Sequence, residues 1–222
     1  MQNPSAFIAK SGLFSKVSLL LSLSFIISAV GTYAGQGITS TAGIIVLAVL
    51  FLAGAFVVPL AAKASPTAGV LSLTVWTFIS GLFLGPCIHQ YAHVLGWQTV
   101  FLAYLGTGGV MAGCGAIGAL SGINFQPMGR FLMFALLGLI GMGILSMFVH
   151  MSQGVTIVWS LLGMAVFALF FIFDFFRLAH EENTWEAAVG LTMNLYLDFI
   201  NFFLYLLQFI AAVSGGGSKS KD

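Results

Sequence analysis

Seven apolar stretches, each about 20 residues long, constrain the fold of this chain more than any other feature of its sequence. A helix needs about 20 mostly apolar residues to cross the hydrocarbon core of a bilayer. The candidate spans are residues 15–34, 41–62, 66–86, 97–119, 130–149, 154–177 and 187–213. None of them alternates with the period of two that is typical of membrane barrel strands. The sequence therefore predicts an all-α membrane protein, a bundle of seven transmembrane helices.

The composition agrees with this fold class. Hydrophobic residues make up 59% of the chain and charged residues 6%, whereas a soluble domain carries roughly 25% charged residues. We expect a cytoplasmic N-terminal segment (1–14), one transmembrane domain (15–213) and a flexible C-terminal tail (214–222). The lipid bilayer is the first expected partner and the chain is expected to be a monomer. A net charge of +1 gives no reason to expect nucleic-acid binding.

The basic residues predict the orientation of the bundle. Lys10, Lys16, Lys63, Arg130 and Arg177 would all lie on one side, while the loops on the other side carry no Lys or Arg before the tail. Short cytoplasmic loops are enriched in these residues. We therefore expect a cytoplasmic N-terminus, although two tail lysines break the pattern if the seventh span crosses completely.

Small and polar residues suggest local features of the bundle. Ser65 before Pro66 is typical of a helix start, and Asn183 with Glu186 resembles a capping box for the seventh span. Gly109 is followed four residues later by a second glycine, which favours close helix packing within the bundle, with dimerisation as the alternative.

The remaining small-residue and metal-ligand patterns are weaker. Span five adds Gly138 and Gly141 to the packing interpretation. The two cysteines are expected to be buried free thiols. An outer metal site is a less favoured alternative, built from Cys87, His89, His93 and His150.

Two aspartates lie within apolar spans, Asp174 in "FIFDFF" and Asp198 in "NLYLDFINFF". An ionised aspartate at the centre of a membrane helix costs about 2.5–3.5 kcal/mol and usually marks a functional site. One polar stripe of span seven follows helical spacing: Asn194, Asp198, Asn201, Tyr205 and Gln208. The stripe is expected to line the bundle interior or a wet cavity.

The two aspartates should lie at similar depth, about four residues from the cytoplasmic end of each span. A helical hairpin could then bring the carboxyl groups together, and such a pair shares a proton because both cannot easily ionise. Lys63 is a candidate counter-ion, or an ordinary cytoplasmic anchor. In the structural alternative, Asp174 pairs with Arg177 one turn away. Acidic residues near 181–186 could concentrate cations at the cytoplasmic entrance of an ion path, or could simply form a solvated loop.

Three motifs resemble the bacterial branch of the transmembrane Bax inhibitor motif family. They are "LYLDFINFFLYLL" at 195–207, "FALFFIFD" at 167–174 and "SGLFLGP" at 80–86. The resemblance covers nearly the whole chain and implies a seven-helix protein of a bacterial inner membrane that leaks calcium in a pH-dependent way. It also implies death-suppressing eukaryotic relatives and, in some bacteria, a membrane-bound protease as partner. Asp174 and Asp198 match the paired aspartates of the family.

The family has a basic residue, often Arg, near the end of the second helix, and it would fall on Lys63. A lysine ammonium is a point charge and cannot form the two parallel hydrogen bonds of an arginine guanidinium. Gln208 stands where many members have Arg late in the last helix. The predicted pH-sensing and ion-pathway residues are therefore Asp174, Asp198, Lys63, Asn194, Asn201 and Tyr205, and the two aspartates are also the predicted weak, transient calcium ligands.

Other function classes fit less well. An intramembrane aspartyl protease also uses two aspartates on consecutive helices, but this chain has "LYLD" where those enzymes have Gly-x-Gly-Asp, and it has no "PAL". We therefore expect no enzymatic activity and no cofactor, with calcium as the transported ion. The alternative function is a non-conducting membrane regulator of a membrane protease or of cell-death and stress signalling.

Overall fold

The computed structural model describes residues 4–146, 148–149 and 151–216, with side chains described from residue 12 to residue 215 in those ranges. His150 and the tail lysines at 219 and 221 lie outside the described residues. The described part contains α-helices and no strand, which confirms the predicted seven-helix fold. The helices are α1 (Pro4–Gly35), α2 (Thr41–Ala64), α3 (Pro66–Leu95), α4 (Trp97–Leu120), α5 (Met128–Ser146), α6 (Gln153–His180) and α7 (Trp185–Gly216).

All seven helices are long and apolar enough to cross a membrane. Many large apolar side chains remain exposed on their outer faces; Phe56 and Leu60 of α2, for example, are 73% and 69% exposed. A soluble monomer rarely exposes contiguous apolar surface on this scale, whereas lipid solvates it. The chain is therefore an integral membrane protein.

The start of α3 agrees with the sequence, but its end does not. The Ser65 hydroxyl accepts a hydrogen bond from the backbone N–H of Ala68 at 3.1 Å, so Ser65 caps the helix. The predicted end of the third span at residue 86 is wrong, because α3 continues through Pro86 as far as Leu95. Proline removes one backbone hydrogen bond, and a membrane helix tolerates this where neighbouring groups compensate.

The predicted cap of α7 is also wrong by one residue. The N–H of Ala187 donates to the Thr184 hydroxyl at 3.0 Å, so Thr184 and not Asn183 caps this helix. Asn183 instead accepts a hydrogen bond from the Lys16 ammonium at 2.9 Å. The Lys16 ammonium also lies 4.8 Å from the centre of the Trp185 ring. The start of α7 is thus tied to α1.

Contacts divide the chain into two compact units. The first comprises the chain up to Gln90 together with Leu178–Tyr196, and the second comprises Tyr91–Arg177 and the chain from Leu197 onward. Both Asp174 and Asp198 belong to the second unit, and Lys63 belongs to the first.

Glycines allow α1 and α3 to approach closely within the first unit. A Cβ atom added at Gly81 would lie 2.2 Å from the carbonyl oxygen of Ser28, and one added at Gly31 would lie 2.5 Å from that of Phe78. A Cβ atom at Gly35 would lie 2.4 Å from the carbonyl oxygen of Leu82. These are backbone atoms, so a larger residue could fit only if the helices moved apart.

The glycines singled out in the sequence do not pack in this way. No atom of the described residues lies within 4 Å of a Cβ atom built at Gly109, Gly113, Gly138 or Gly141. The interpretation of these four as packing contacts within the bundle is wrong, because in the described part of the chain they are on helix surfaces that no other helix approaches closely. On α4 the close contact is made by Gly118, whose added Cβ would lie 2.1 Å from the Ile172 carbonyl oxygen of α6.

The cysteines are both free thiols, as expected. Their predicted burial is wrong for Cys87, which is exposed, while Cys114 is half-buried. The extension of α3 past Pro86 places Cys87 on a helix surface.

Candidate functional site

The two intramembrane aspartates form the centre of the candidate site. Asp174 on α6 is 2% exposed and Asp198 on α7 is 5% exposed. Their carboxyl groups lie close enough to interact with each other. A hydrogen bond between two carboxyl groups requires a proton on one of them, because an ionised carboxylate only accepts. The structure thus brings the two carboxyl groups together, and a hydrogen bond between them would need a shared proton.

Arg177 is a second partner of this pair. Its guanidinium Nη1 lies 3.3 Å from Asp174 Oδ1, one turn along α6, and its side chain is 33% exposed. The contact named as the structural alternative is therefore present together with the carboxyl pair. The Arg177 guanidinium therefore contacts the buried Asp174 carboxyl group, while part of the Arg177 side chain remains exposed.

One oxygen of the pair is left without a donor. Asp198 Oδ2 is buried and has no hydrogen-bond partner among the described residues. A buried carboxyl oxygen without a partner is costly, so this atom is a place where a proton, a water molecule or a cation would be stabilised.

The polar stripe of α7 continues away from the pair. Asn201 donates its side-chain N–H to the Leu197 carbonyl of its own helix at 2.8 Å. Farther along, the Tyr205 ring lies over Gly163 of α6, where an added Cβ would be 2.5 Å from Tyr205 Cγ. Asn194, at the other end of the stripe, is half-buried.

Lys63 lies in the last turn of α2 and is exposed. It belongs to the first unit, whereas both aspartates belong to the second. Its role as counter-ion stays a prediction.

A buried hydroxyl cluster in the first unit was missed by the sequence reasoning. The Tyr196 hydroxyl is hydrogen-bonded to the Ser28 hydroxyl at 2.7 Å and to the Ser80 hydroxyl at 2.8 Å. Tyr196 is 0% exposed, and the rings of Phe25 and Trp76 lie 5.9 and 5.6 Å from its ring centre. The cluster joins α1, α3 and α7 two residues before Asp198. The available signal in the sequence was the tyrosine two residues before Asp198.

We expect Tyr196→Phe to lower the free energy of unfolding by about 1–3 kcal/mol, because two buried serine hydroxyls would lose their shared partner. Denaturation in detergent micelles, followed by circular dichroism, measures this change. Tyr33→Phe is the matched control, since Tyr33 is 76% exposed. Equal stability of the two variants would contradict a structural role for the cluster.

The outer metal site considered as an alternative includes His150, which lies outside the described residues. The described part of the chain contains no group of three or more His, Cys, Asp or Glu side chains that could hold a metal ion. Cys87, His89 and His93 therefore do not make such a cluster on α3. Among the described residues, an ion at the aspartate pair would therefore find no third His, Cys, Asp or Glu ligand.

Comparison with known proteins identifies the family. The family model "Inhibitor of apoptosis-promoting Bax1" matches residues 10–215. An uncharacterized protein of Borreliella burgdorferi is 24% identical over 94% of this chain and 95% of its own length. Bax inhibitor 1 of Schizosaccharomyces pombe is 30% identical over 66% of this chain and 53% of its own length.

A third relative has a higher sequence identity over a shorter part of the chain. The Golgi anti-apoptotic protein of Vaccinia virus (strain Lister) is 40% identical over 39% of this chain and 36% of its own length. The alignments to the yeast and viral proteins thus span about half or less of those two proteins, whereas the family match covers all seven helices. The chain belongs to the Bax inhibitor family.

Proposed function

We propose that this protein is a pH-sensitive calcium leak channel gated by the Asp174–Asp198 pair. The observation that carries the proposal is the close approach of two carboxyl groups that are each at most 5% exposed within membrane-spanning helices. Membership of the Bax inhibitor family supports a membrane regulator or channel-like role in general. Calcium, the pH dependence and the named gate are our inference.

The charge state of the pair decides whether α6 and α7 stay together. At low pH the shared proton keeps the two carboxyl groups hydrogen-bonded, and the path is closed. When the proton leaves, two unit charges at about 4 Å repel by about 4 kcal/mol at an effective dielectric constant of 20. That exceeds the roughly 1.5–3 kcal/mol that a hydrogen bond to a charged group contributes. Loss of the proton therefore separates the helices, and flux rises with pH.

The ionised pair then attracts a calcium ion. Calcium is a hard cation that takes six to eight oxygen ligands, often from carboxylates. Two aspartates supply too few ligands for tight binding, and the neighbouring Arg177 cation opposes occupancy. Weak, transient binding is what a conduction path requires, since an ion must leave as readily as it enters.

The topology of the proposal follows from the basic residues. We place the N-terminus on the cytoplasmic side of a bacterial plasma membrane, because Lys16, Lys63, Arg130 and Arg177 would then all face the cytoplasm. The aspartate pair lies near that side, and the α7 C-terminus lies on the opposite side.

Calcium uptake into liposomes that contain the purified protein tests the proposal. Uptake is followed with a trapped fluorescent indicator at pH 6, 7 and 8, with protein-free liposomes as the control. We expect uptake above the control that rises with pH. Uptake equal to protein-free liposomes at every pH, with protein whose fold is verified by circular dichroism, would refute the channel.

The second candidate is a non-conducting regulator of a membrane protease or of cell-death and stress signalling. It is favoured by the names of two relatives, a Golgi anti-apoptotic protein and Bax inhibitor 1. The liposome assay separates the candidates because a regulator would carry no calcium. Co-purification of a membrane-bound protease with the full-length chain would then support the regulator.

A further inference from the structure

A pocket of about 380 Å³ opens at the end of the second unit where α7 finishes and α6 begins. Its polar lining comes from Tyr91, Gln153, Thr156 and Gln208. At about 30 Å³ for each water molecule, it holds on the order of ten waters. The pocket is therefore large enough for a hydrated cation.

The lining offers oxygen ligands without a fixed charge. Amide and hydroxyl oxygens are suitable ligands for hard cations. Ala212 and Gly215 of α7 also line the pocket, and the last carbonyl groups of a helix carry partial negative charge. The Gln153 amide donates to the Ala212 carbonyl at 2.8 Å, which links the start of α6 to the end of α7.

The pocket and the aspartate pair lie on the same stripe of α7. At 1.5 Å per residue, Gln208 is about 15 Å along the helix from Asp198. Tyr205 lies between them, about 10 Å from Asp198 and about 4.5 Å from Gln208 along the axis. A cation that moves along this stripe from the pocket must pass the Tyr205 side chain.

Tyr205 fills the space beside α6. Its ring lies directly over Gly163, where an added Cβ would come within 2.5–2.6 Å of three ring atoms. The rings of Trp159 and Phe167 lie 6.4 and 6.0 Å away, centre to centre. The Tyr205 ring thus lies in a groove on α6. The groove exists because residue 163 is a glycine, and any side chain there would fill it.

We propose that the pocket lined by Gln153 and Gln208 is the outer cation vestibule of the conduction path, and that the Tyr205 ring seated on Gly163 closes the path between this vestibule and the aspartate pair. The inference rests on the proposed channel function and adds a second barrier to it. Aromatic constrictions block ions because a hydrated ion cannot shed its water there.

Cysteine accessibility tests the vestibule without measuring conduction. In a full-length Cys87→Ala, Cys114→Ala background, single cysteines are introduced as Gln208→Cys or Asn201→Cys. A membrane-impermeant thiol reagent is then added on the side that holds the α7 C-terminus. We expect Gln208→Cys to react about tenfold or more faster than Asn201→Cys, because the ring shields position 201. Equal rates at the two positions would overturn the proposal.

Removal of the ring should expose the inner position. Combined with Asn201→Cys, we expect Tyr205→Ala to raise the reaction rate about tenfold, and Tyr205→Phe to leave it unchanged because the ring remains. Phe203→Ala is the matched control. Phe203 lies on another face of α7, where its ring centre is 5.8 Å from the ring centre of Tyr104. A similar increase with Phe203→Ala would show general loosening and would overturn the gate.

Two further measurements keep the test decisive. If Tyr205→Ala does not fold, Gly163→Ala serves instead, because it displaces the Tyr205 ring without truncating it. We expect this variant also to raise the reaction rate of the cysteine at position 201. An unchanged rate would overturn the gate. In the liposome assay, no calcium uptake by wild type refutes the channel. Wild-type uptake that Tyr205→Ala leaves unchanged refutes the gate alone.

Discussion

Replacement of Asp198 by asparagine is expected to abolish the pH dependence of calcium uptake. In the wild type, loss of one proton changes the ionised fraction of the pair by up to about tenfold per pH unit below its midpoint. An asparagine amide can donate to an ionised Asp174 carboxylate and can accept from a protonated one. The two side chains of Asp198→Asn would therefore stay hydrogen-bonded at every pH, and uptake would remain low.

The measurement is uptake at pH 6, 7 and 8, where we expect less than about a twofold change for the variant against up to about tenfold per pH unit for the wild type. Asp174→Asn should behave in the same way, because either amide removes the repulsion. Glu182→Gln is the matched control, since Glu182 is an exposed acidic residue outside the helices. A wild-type pH profile in Asp198→Asn would contradict the proposed gate even if the protein conducts calcium.

The second large effect is expected at Gly81, where leucine should destabilise the fold by about 3 kcal/mol or more. Overpacking of a tight interface costs about 1–3 kcal/mol, and occasionally more. At Gly81 the neighbour is a backbone oxygen of Ser28, 2.2 Å from the position of a Cβ atom, so no side-chain rotation can relieve the clash. Helices α1 and α3 would have to separate.

The matched control is Gly109→Leu, on a surface of α4 where no atom of the described residues lies within 4 Å of an added Cβ. We expect this variant to be as stable as the wild type or slightly more stable, because leucine favours helix more than glycine does. Thermal unfolding in detergent micelles, followed by circular dichroism, compares the two. A destabilised Gly109→Leu with a stable Gly81→Leu would reverse our assignment of the packing interface.

The fold was predictable because the requirement it satisfies is local. Each span must satisfy its own backbone hydrogen bonds in lipid, so a run of about 20 apolar residues specifies a helix without reference to its neighbours. The predicted third span ends at residue 86, whereas α3 continues to Leu95, because the effect of a proline on a membrane helix depends on the groups around it. The cap at Thr184 was missed because Asn183 had a partner elsewhere, the Lys16 ammonium.

Part of the candidate site was also predictable. An aspartate in an apolar helix is costly wherever the helix packs, so Asp174 and Asp198 stood out before any contact was known, and helical spacing placed Tyr205 and Gln208 on the stripe. The channel function, the role of Lys63 and the calcium ligands remain predictions. The hydroxyl cluster of Tyr196 could not be anticipated, because Ser28 and Ser80 are distant in sequence and ordinary in type.

The sequence by itself determined the membrane class, the seven helices and the two costly carboxyl groups, since each follows from the transfer of single segments into lipid. Only the tertiary structure decided which glycines make contacts, that Asp198 meets Asp174 while Arg177 binds the latter, and that the Tyr205 ring lies over Gly163. The sequence around Gly31, Gly81 and Gly109 is helical in each case. It does not show that the first two face another helix and the third does not. Rotation and pairing of helices depend on packing between segments far apart in the chain, and one segment's sequence does not specify them.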